Sequence, residues 1–193
     1  MPTPKRNFLP AIALAGYLAG ATVPTLPALA QGTGLTLFSG VRREFLLPHS
    51  FDFDAGQGAR DRYRMRIPAK KLRYAASSIV LTYPAYYKGK IDTERTEVRI
   101  GKRDRESVAL ESVSEPELLV YGEPDSESKE NDDVYRMEIL LVDTIPENTS
   151  VEIVLNVRNP RIGQTYYFNA RVQPPRDIVE RYIGTWIVSI DTD

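Results

Sequence analysis

The chain of 193 residues lacks cysteine altogether and contains a single histidine and a single tryptophan. Without cysteine there are no disulfide bonds, so burial of apolar side chains must hold the fold together. Zinc and iron sites built from cysteine and histidine are excluded for the same reason. We therefore expect no cofactor, and any metal site would have to use carboxylate and carbonyl oxygens.

Acidic residues are missing from the first thirty positions. Lys5 and Arg6 precede an apolar stretch from Phe8 to Val23, and Ala28-Leu29-Ala30 has the small side chains of a signal-peptide cleavage site. We predict a signal peptide over residues 1–30 and a single domain over residues 31–193. Prolines and glycines interrupt the apolar stretch, so we expect no transmembrane span in the mature chain.

A strong net charge is missing as well, since 25 basic residues stand against 26 acidic ones. Cleavage after residue 30 would remove Lys5 and Arg6 and leave 23 basic residues against the same 26 acidic ones. Nucleic-acid-binding proteins normally show a basic excess, so we do not expect nucleic acid as a partner. The expected location is the periplasm, the thylakoid lumen or the extracellular space.

What the sequence does contain is a series of short alternating runs separated by turn residues. In the clearest of them, residues 62–67, three apolar side chains alternate with three arginines. A spacing of about 8 to 12 residues between such runs is typical of all-β sandwiches. The sequence therefore predicts an all-β, antiparallel, immunoglobulin-like β-sandwich of about 8–10 strands.

The last of these runs, residues 181–190, is apolar on both faces and contains the only tryptophan, Trp186. A strand of this kind suits the interior of a sandwich better than a half-solvated edge, so we predict an interior position for it. Gly184 lies inside the run and indicates a β-bulge or the close approach of another backbone.

Several motifs in the last third resemble those of a known family. They are Asn159-Pro160, Gly163, the aromatic run Tyr166-Tyr167-Phe168 and the element Tyr182-Ile183-Gly184-Thr185-Trp186. Together they resemble the C-terminal signature of exported cyanobacterial proteins classified as a domain of unknown function, number 2808. The resemblance implies a cyanobacterial source, export and a β-sandwich-like domain, and it brings no catalytic or ligand-binding residues with it.

The arginines of residues 62–67 form the first candidate binding site. Arg62, Arg64 and Arg66 share one strand face, and planar guanidinium groups suit bidentate contacts with carboxylates and phosphates. A free arginine ladder would bind an anionic envelope polymer, a lipid headgroup or an acidic patch of an envelope protein. The alternative is a solvated face whose arginines pair with acidic residues across the sheet.

Three tyrosines form a second candidate. Tyr83, Tyr86 and Tyr87 lie close together around a proline, and a tyrosine ring offers a flat, amphipathic face that stacks on sugars. The loop that carries them would then add contact area to the arginine ladder. The alternative is that these rings pack in the core and at its rim.

Asp52, Asp54 and Asp61 are the candidate metal ligands, because they flank two glycines in a short turn-rich segment. Compared with the twelve-residue calcium loop, however, the segment places Tyr63 where a bidentate glutamate is needed. A site that uses backbone carbonyls is one reading of this segment. A plain acidic turn is the other.

No catalytic constellation accompanies these candidates. His49 is the only histidine that a Ser-His-Asp triad could use, and the sequence has no Gly-x-Ser-x-Gly elbow. We therefore expect no enzyme activity and interpret the chain as an exported binding module of the cell envelope. The alternative is a structural or assembly subunit that pairs through a sheet edge; a calcium-dependent module or a hydrolase is a third hypothesis.

Overall fold

The computed structural model describes residues 41–120 and 133–191, so the predicted signal peptide lies outside the described residues. Eleven β-strands and two short 3-10 helices, Arg43–Phe45 and Ala69–Lys71, make up this part of the chain. The strands are β1 (His49–Phe51), β2 (Arg60–Ile67), β3 (Ala76–Pro84), β4 (Lys90–Ile100), β5 (Glu106–Val108), β6 (Leu110–Val113), β7 (Glu117–Leu119), β8 (Val134–Ile145), β9 (Val151–Arg158), β10 (Thr165–Gln173) and β11 (Arg181–Ser189).

The strands form two antiparallel sheets. One has five strands in the order β1-β2-β9-β4-β5; the other has six, in the order β11-β10-β3-β8-β6, with β7 also paired to β8. The consecutive strands β5 and β6 belong to different sheets, so the chain crosses from one sheet to the other at Ala109. The prediction of an all-β, antiparallel β-sandwich is confirmed, with eleven strands in place of the expected 8–10.

The core lies between the two sheets and follows the alternation seen in the sequence. In β2, Tyr63, Met65 and Ile67 are at most 1% exposed, which places the intervening arginines on the outer face. Trp186 of β11 is fully buried, and its indole N–H donates a hydrogen bond of 3.1 Å to the carbonyl of Arg66 on β2. This bond joins the two sheets across the core.

The prediction of an interior position for the last strand is wrong, because β11 is the edge of the six-stranded sheet. Its outer side is covered by a short piece of chain: Leu46 bridges to Thr185, and the Leu47 N–H donates to the Thr185 carbonyl at 2.9 Å. Gly184 permits this approach, since a Cβ there would collide with the Phe45 carbonyl oxygen. The predicted bulge is also present, opposite residues 170–171.

The sandwich has two ends that differ in their loops. We call the end formed by residues 52–59, 85–89 and 159–164 the basic end. The opposite end, formed by residues 68–75, 101–105, 146–150 and 174–180, is called the apolar end. Strand β10 runs from one to the other over nine residues, which separates them by about 30 Å. In residues 41–120 and 133–191, no helix is long and apolar enough to cross a membrane.

Candidate functional site

The predicted arginine ladder faces outward from the five-stranded sheet, but its arginines are paired. Arg64 makes two contacts with the Asp52 carboxylate, one of them 2.9 Å from Nη2 to Oδ2, and Arg62 lies 3.3 Å from the same group. The hydrogen bond from Arg64, with the nearby charges of Arg64 and Arg62, holds the pKa of Asp52 below its usual value although partial burial opposes the shift.

Glu152 of β9 neutralises the other end of the ladder. Its side chain is 2% exposed and accepts contacts from Arg66 at 2.9 Å, Arg64 at 3.3 Å and Arg105 at 2.6 Å. The strand register explains the pairing, because Arg66 lies directly opposite Glu152. The hypothesis of a free ladder is therefore wrong, and the alternative of a paired face fits the structure. The three arginines form ion pairs with Asp52 and Glu152 that stabilise the fold.

Two of the three candidate tyrosines lie in the core. Tyr83 and Tyr87 are 3% and 1% exposed, and each ring lies 5.1 Å from that of Phe168. A turn in which the Tyr87 N–H donates to the Pro84 carbonyl directs Tyr87 back into the sandwich, and burial raises the pKa of its phenol. These two rings cannot stack on a sugar; only Tyr86, which is half-buried beside Tyr166, reaches the surface.

The three candidate metal ligands do not converge. Asp61 is buried, and its carboxylate accepts N–H groups from Phe53 and Ala55 at 3.1 and 2.9 Å, which fixes the turn. Asp52 is engaged by the ladder, and Asp54 is exposed with φ at +49°. The described residues contain no group of three or more side chains suited to hold a metal ion, so this segment matches the alternative of an acidic turn.

The basic end is closed by the Asn-Pro motif. Asn159 is 2% exposed. Its carbonyl oxygen accepts the Tyr63 hydroxyl at 2.6 Å, and its amide donates to the Gly56 carbonyl at 3.0 Å and to Ala55. The Pro160 carbonyl accepts the Gly58 N–H at 3.0 Å. These bonds tie residues 52–59 to the end of β9 and give the surface around them a defined shape.

Three cations lie side by side on the strands that meet at this end. Arg60 of β2 is opposite Arg158 of β9, and Arg158 is opposite Lys90 of β4. All three are exposed and point to the same outer face, and the row spans about 10 Å because neighbouring strands are about 4.8 Å apart. Within the described residues none of them forms an ion pair. Like charges directly opposite each other destabilise a sheet.

Lys90 and Arg158 also line a cavity of about 390 Å³, here called the basic pocket. Its lining also includes the charged side chains of Lys88 and Arg161 and the ring of Tyr86, and none of the described residues around it is acidic. A second cavity of about 670 Å³ shares Lys90 and Arg158, but four carboxylates match its four cations. The lining of the basic pocket, in contrast, has four cations and no carboxylate, and these cations can hold an anion through point contacts and bidentate forks.

The sequence did not reveal this pocket, because its residues come from three separate segments and no single run of basic residues marks it. The only local signal was the position of Arg158 and Arg161 on either side of Asn159-Pro160. Their convergence with Lys88 and Lys90 depends on the pairing of β4 with β9. Of the residues proposed from sequence, Tyr86 alone belongs to the pocket.

Several solved structures share features of this fold. A collagen-binding domain from a Staphylococcus aureus adhesin is 10% identical, with a TM-score of 0.38 over 76% of this chain and 97% of that one. An uncharacterised protein from Nocardia farcinica with an immunoglobulin-like fold is also 10% identical, with a TM-score of 0.35 over 77% and 99%. At such scores these likenesses say nothing about ligand or activity.

Another similar structure, described as manganese lipoxygenase of Gaeumannomyces graminis with part of zonadhesin of Komagataella pastoris, is 7% identical. Its TM-score is 0.42 over 76% of this chain and 47% of that one. No curated protein gives a significant sequence match. The sequence model of a family described as "Protein of unknown function (DUF2808)", in contrast, matches residues 35–190. The chain therefore belongs to the DUF2808 family.

Proposed function

We propose that this protein is an exported, non-enzymatic binding module of the cell envelope, and that it holds an anionic polymer at the basic pocket. The observation that carries the proposal is the set of four cations in the basic pocket, which form no ion pair among the described residues and share a lining without a carboxylate. A fold that places Arg60, Arg158 and Lys90 side by side bears their repulsion when empty. A bound anion removes that cost and adds charge-assisted hydrogen bonds.

A polymer fits this arrangement better than a small anion because the charges continue beyond the pocket. From Lys88 and Arg161, cations extend through Arg158 to Arg60 on the outer face of the sheet. Repeated negative charges along one chain would meet successive cations of this track, which extends about 10 Å across the strands. Tyr86 offers a ring face at the pocket wall that suits sugar units of a polysaccharide.

The absence of enzyme activity is part of the proposal and rests on what the pocket contains. Its functional groups are lysines and arginines, which supply positive charge, and a half-buried tyrosine. The only histidine, His49, lies elsewhere: its ring packs 5.2 Å from that of Phe51, near Arg66 of the paired ladder. The side chains that converge in the basic pocket are therefore suited to bind an anion.

The test is co-sedimentation of the exported protein with isolated envelope fractions over a series of salt concentrations. Arg158→Gln/Arg161→Gln removes two charges of the pocket, and Lys102→Gln/Arg103→Gln removes two exposed charges remote from it. We expect the pocket variant to bind at least about tenfold more weakly at low salt, since each lost charged contact is worth more than about 1 kcal/mol. The control variant and the parent should bind alike and release at high salt. Equal binding by both variants would contradict the proposal.

The second candidate function is an assembly subunit, which one feature of β11 favours. Among the described residues, the outer side of this edge strand is covered only as far as Thr185, so residues 186–189 have no neighbour there. An open edge can pair with a strand of another copy. This candidate predicts concentration-dependent oligomers in size-exclusion chromatography, which Ile187→Pro would abolish by removing an outward N–H. A monomer at every concentration would exclude it.

A further inference from the structure

The apolar end carries a second unusual surface. Ile178 is 95% exposed and its neighbour Val179 is 50% exposed, whereas isoleucine and valine are among the residues most often buried. Nearby, Tyr74 is 46% exposed. Isolated apolar side chains at a surface are common, but two adjacent aliphatic residues at the tip of a loop, with an exposed tyrosine beside them, form a contact surface.

The loop holds these side chains in solvent by specific bonds. The Asp177 carboxylate accepts the Val179 N–H at 3.0 Å and pairs with Arg181 at 2.7 Å, and the Gln173 side chain donates to the Asp177 carbonyl. Arg176 adopts a φ of +64°, a conformation that is uncommon for residues other than glycine. The loop is thus braced in a form that keeps Ile178 away from the core.

The aliphatic tip and the tyrosine belong to one surface. The guanidinium group of Arg181, which is bonded to Asp177, lies 5.6 Å from the centre of the Tyr74 ring. Along the chain, Lys70, Lys71 and Arg73 precede Tyr74, and Arg176 precedes Ile178. Within residues 41–120 and 133–191 none of these four cations forms an ion pair. We call the three apolar residues with these four cations the apolar tip.

We propose that the apolar tip docks the protein on an anionic lipid surface. Aliphatic side chains enter the boundary between headgroups and acyl chains, tyrosine settles at the level of the headgroups, and lysine and arginine contact lipid phosphates. A polyanion would leave Ile178 and Val179 exposed to water. A second copy seated on the same surface would bring two sets of unpaired cations together. An anionic bilayer surface satisfies both the apolar residues and the charges.

This inference is independent of the proposed function because the two surfaces lie at opposite ends of the sandwich. The basic pocket adjoins the start of β10, and the apolar tip follows its end. A protein docked on lipid by the tip would present the pocket about 30 Å from the bilayer surface. Both ligands can therefore bind to one molecule at the same time.

The test is co-sedimentation of the exported protein with two kinds of lipid vesicle. Mass spectrometry first establishes the N-terminus of the protein. One contains phosphatidylcholine and phosphatidylglycerol, and the other contains phosphatidylcholine alone. We expect binding to the anionic vesicles that Ile178→Asp weakens about tenfold or more. Leu118→Asp is the matched control, since Leu118 is 46% exposed and lies opposite Tyr135 near the start of β8, away from the apolar end and outside the basic pocket. Lys70→Gln/Arg73→Gln should remove the preference for anionic vesicles.

Tryptophan fluorescence tests directly how deeply the apolar tip enters the bilayer. In Ile178→Trp, tryptophan emission should shift to the blue on anionic vesicles and be quenched by brominated lipid, while the buried Trp186 stays constant as an internal reference. Binding that Ile178→Asp and Leu118→Asp reduce equally would overturn the proposal. A failure to bind anionic vesicles would also overturn it, and a protein partner would then be the candidate ligand of the apolar tip. Failure here does not affect the proposed function, which depends on Arg158 and Arg161.

Discussion

Two groups of arginines share the outer face of the five-stranded sheet, and they differ in what lies opposite them. Arg64 and Arg66 face the carboxylates of Asp52 and Glu152 on the adjoining strands and loop. Arg60, at the start of the same strand, lies opposite Arg158, which in turn lies opposite Lys90. The difference teaches that a run of basic residues on a strand does not define a binding surface. The neighbouring strands decide whether each charge stabilises the fold or is left available for a ligand.

The largest effect should come from breaking the paired group at Glu152. Glu152→Ala leaves three guanidinium groups together without their buried carboxylate, and we expect it to lower the free energy of unfolding by about 3 kcal/mol. Urea denaturation followed by circular dichroism measures the change.

The matched control for that change is Glu97→Ala on the same sheet. Glu97 pairs with Arg99 at 2.6 Å, but its side chain is 46% exposed, so its loss should cost less than about 1 kcal/mol. If the two substitutions destabilised the protein equally, burial would not be what distinguishes the pair at Glu152. The paired ladder would then contribute little to the fold.

The next effect concerns the residue that closes the basic end. Asn159→Ala removes the acceptor of the Tyr63 hydroxyl and the donor to Gly56, and leaves buried partners unsatisfied. We expect a loss of about 2 kcal/mol of unfolding free energy, measured in the same urea experiment. Tyr63→Phe removes the Asn159 bond and the long 3.4 Å bond that the Tyr87 hydroxyl donates to Tyr63, but it keeps the bonds of the Asn159 amide, and it should cost about half as much. A negligible cost for Asn159→Ala would show that the Asn-Pro motif does not organise the pocket.

These residues also show why the sequence predicted the fold better than the site. The alternation of apolar residues with arginines in β2 predicts a half-exposed strand without knowledge of its neighbours. The pairing of Arg66 with Glu152 joins positions 86 residues apart, which no local pattern reveals. Likewise, the apolar residues of β11 do not reveal that it is an edge strand, or that a distant piece of chain at Leu47 covers part of that edge. Interior and edge positions give the same pattern when something other than a strand covers the edge.

A smaller effect of opposite sign would sharpen the contrast between the two groups. Arg158→Gln removes the central cation of the row and relieves its repulsion with Arg60 and Lys90, so the protein should gain about 0.5 kcal/mol of stability. The same substitution should weaken binding to envelope material. High salt should diminish the gain, because exposed charges are screened. A loss of stability at low salt would mean that Arg158 is stabilised by contacts that outweigh the repulsion.

The smallest effect lies beside the paired ladder, at His49. Burial and the positive charge of Arg66 lower the pKa of this imidazole below 6.5. The unfolded chain therefore takes up a proton more readily than the folded one. The resulting contribution to stability is present in full above a pH of about 6.5 and is lost as the pH falls through the folded value. Because His49 is the only histidine, one NMR titration gives its folded pKa without assignment. Neutralising Arg66 in Arg66→Gln should move that pKa upward, and an unchanged titration would show that burial alone sets it.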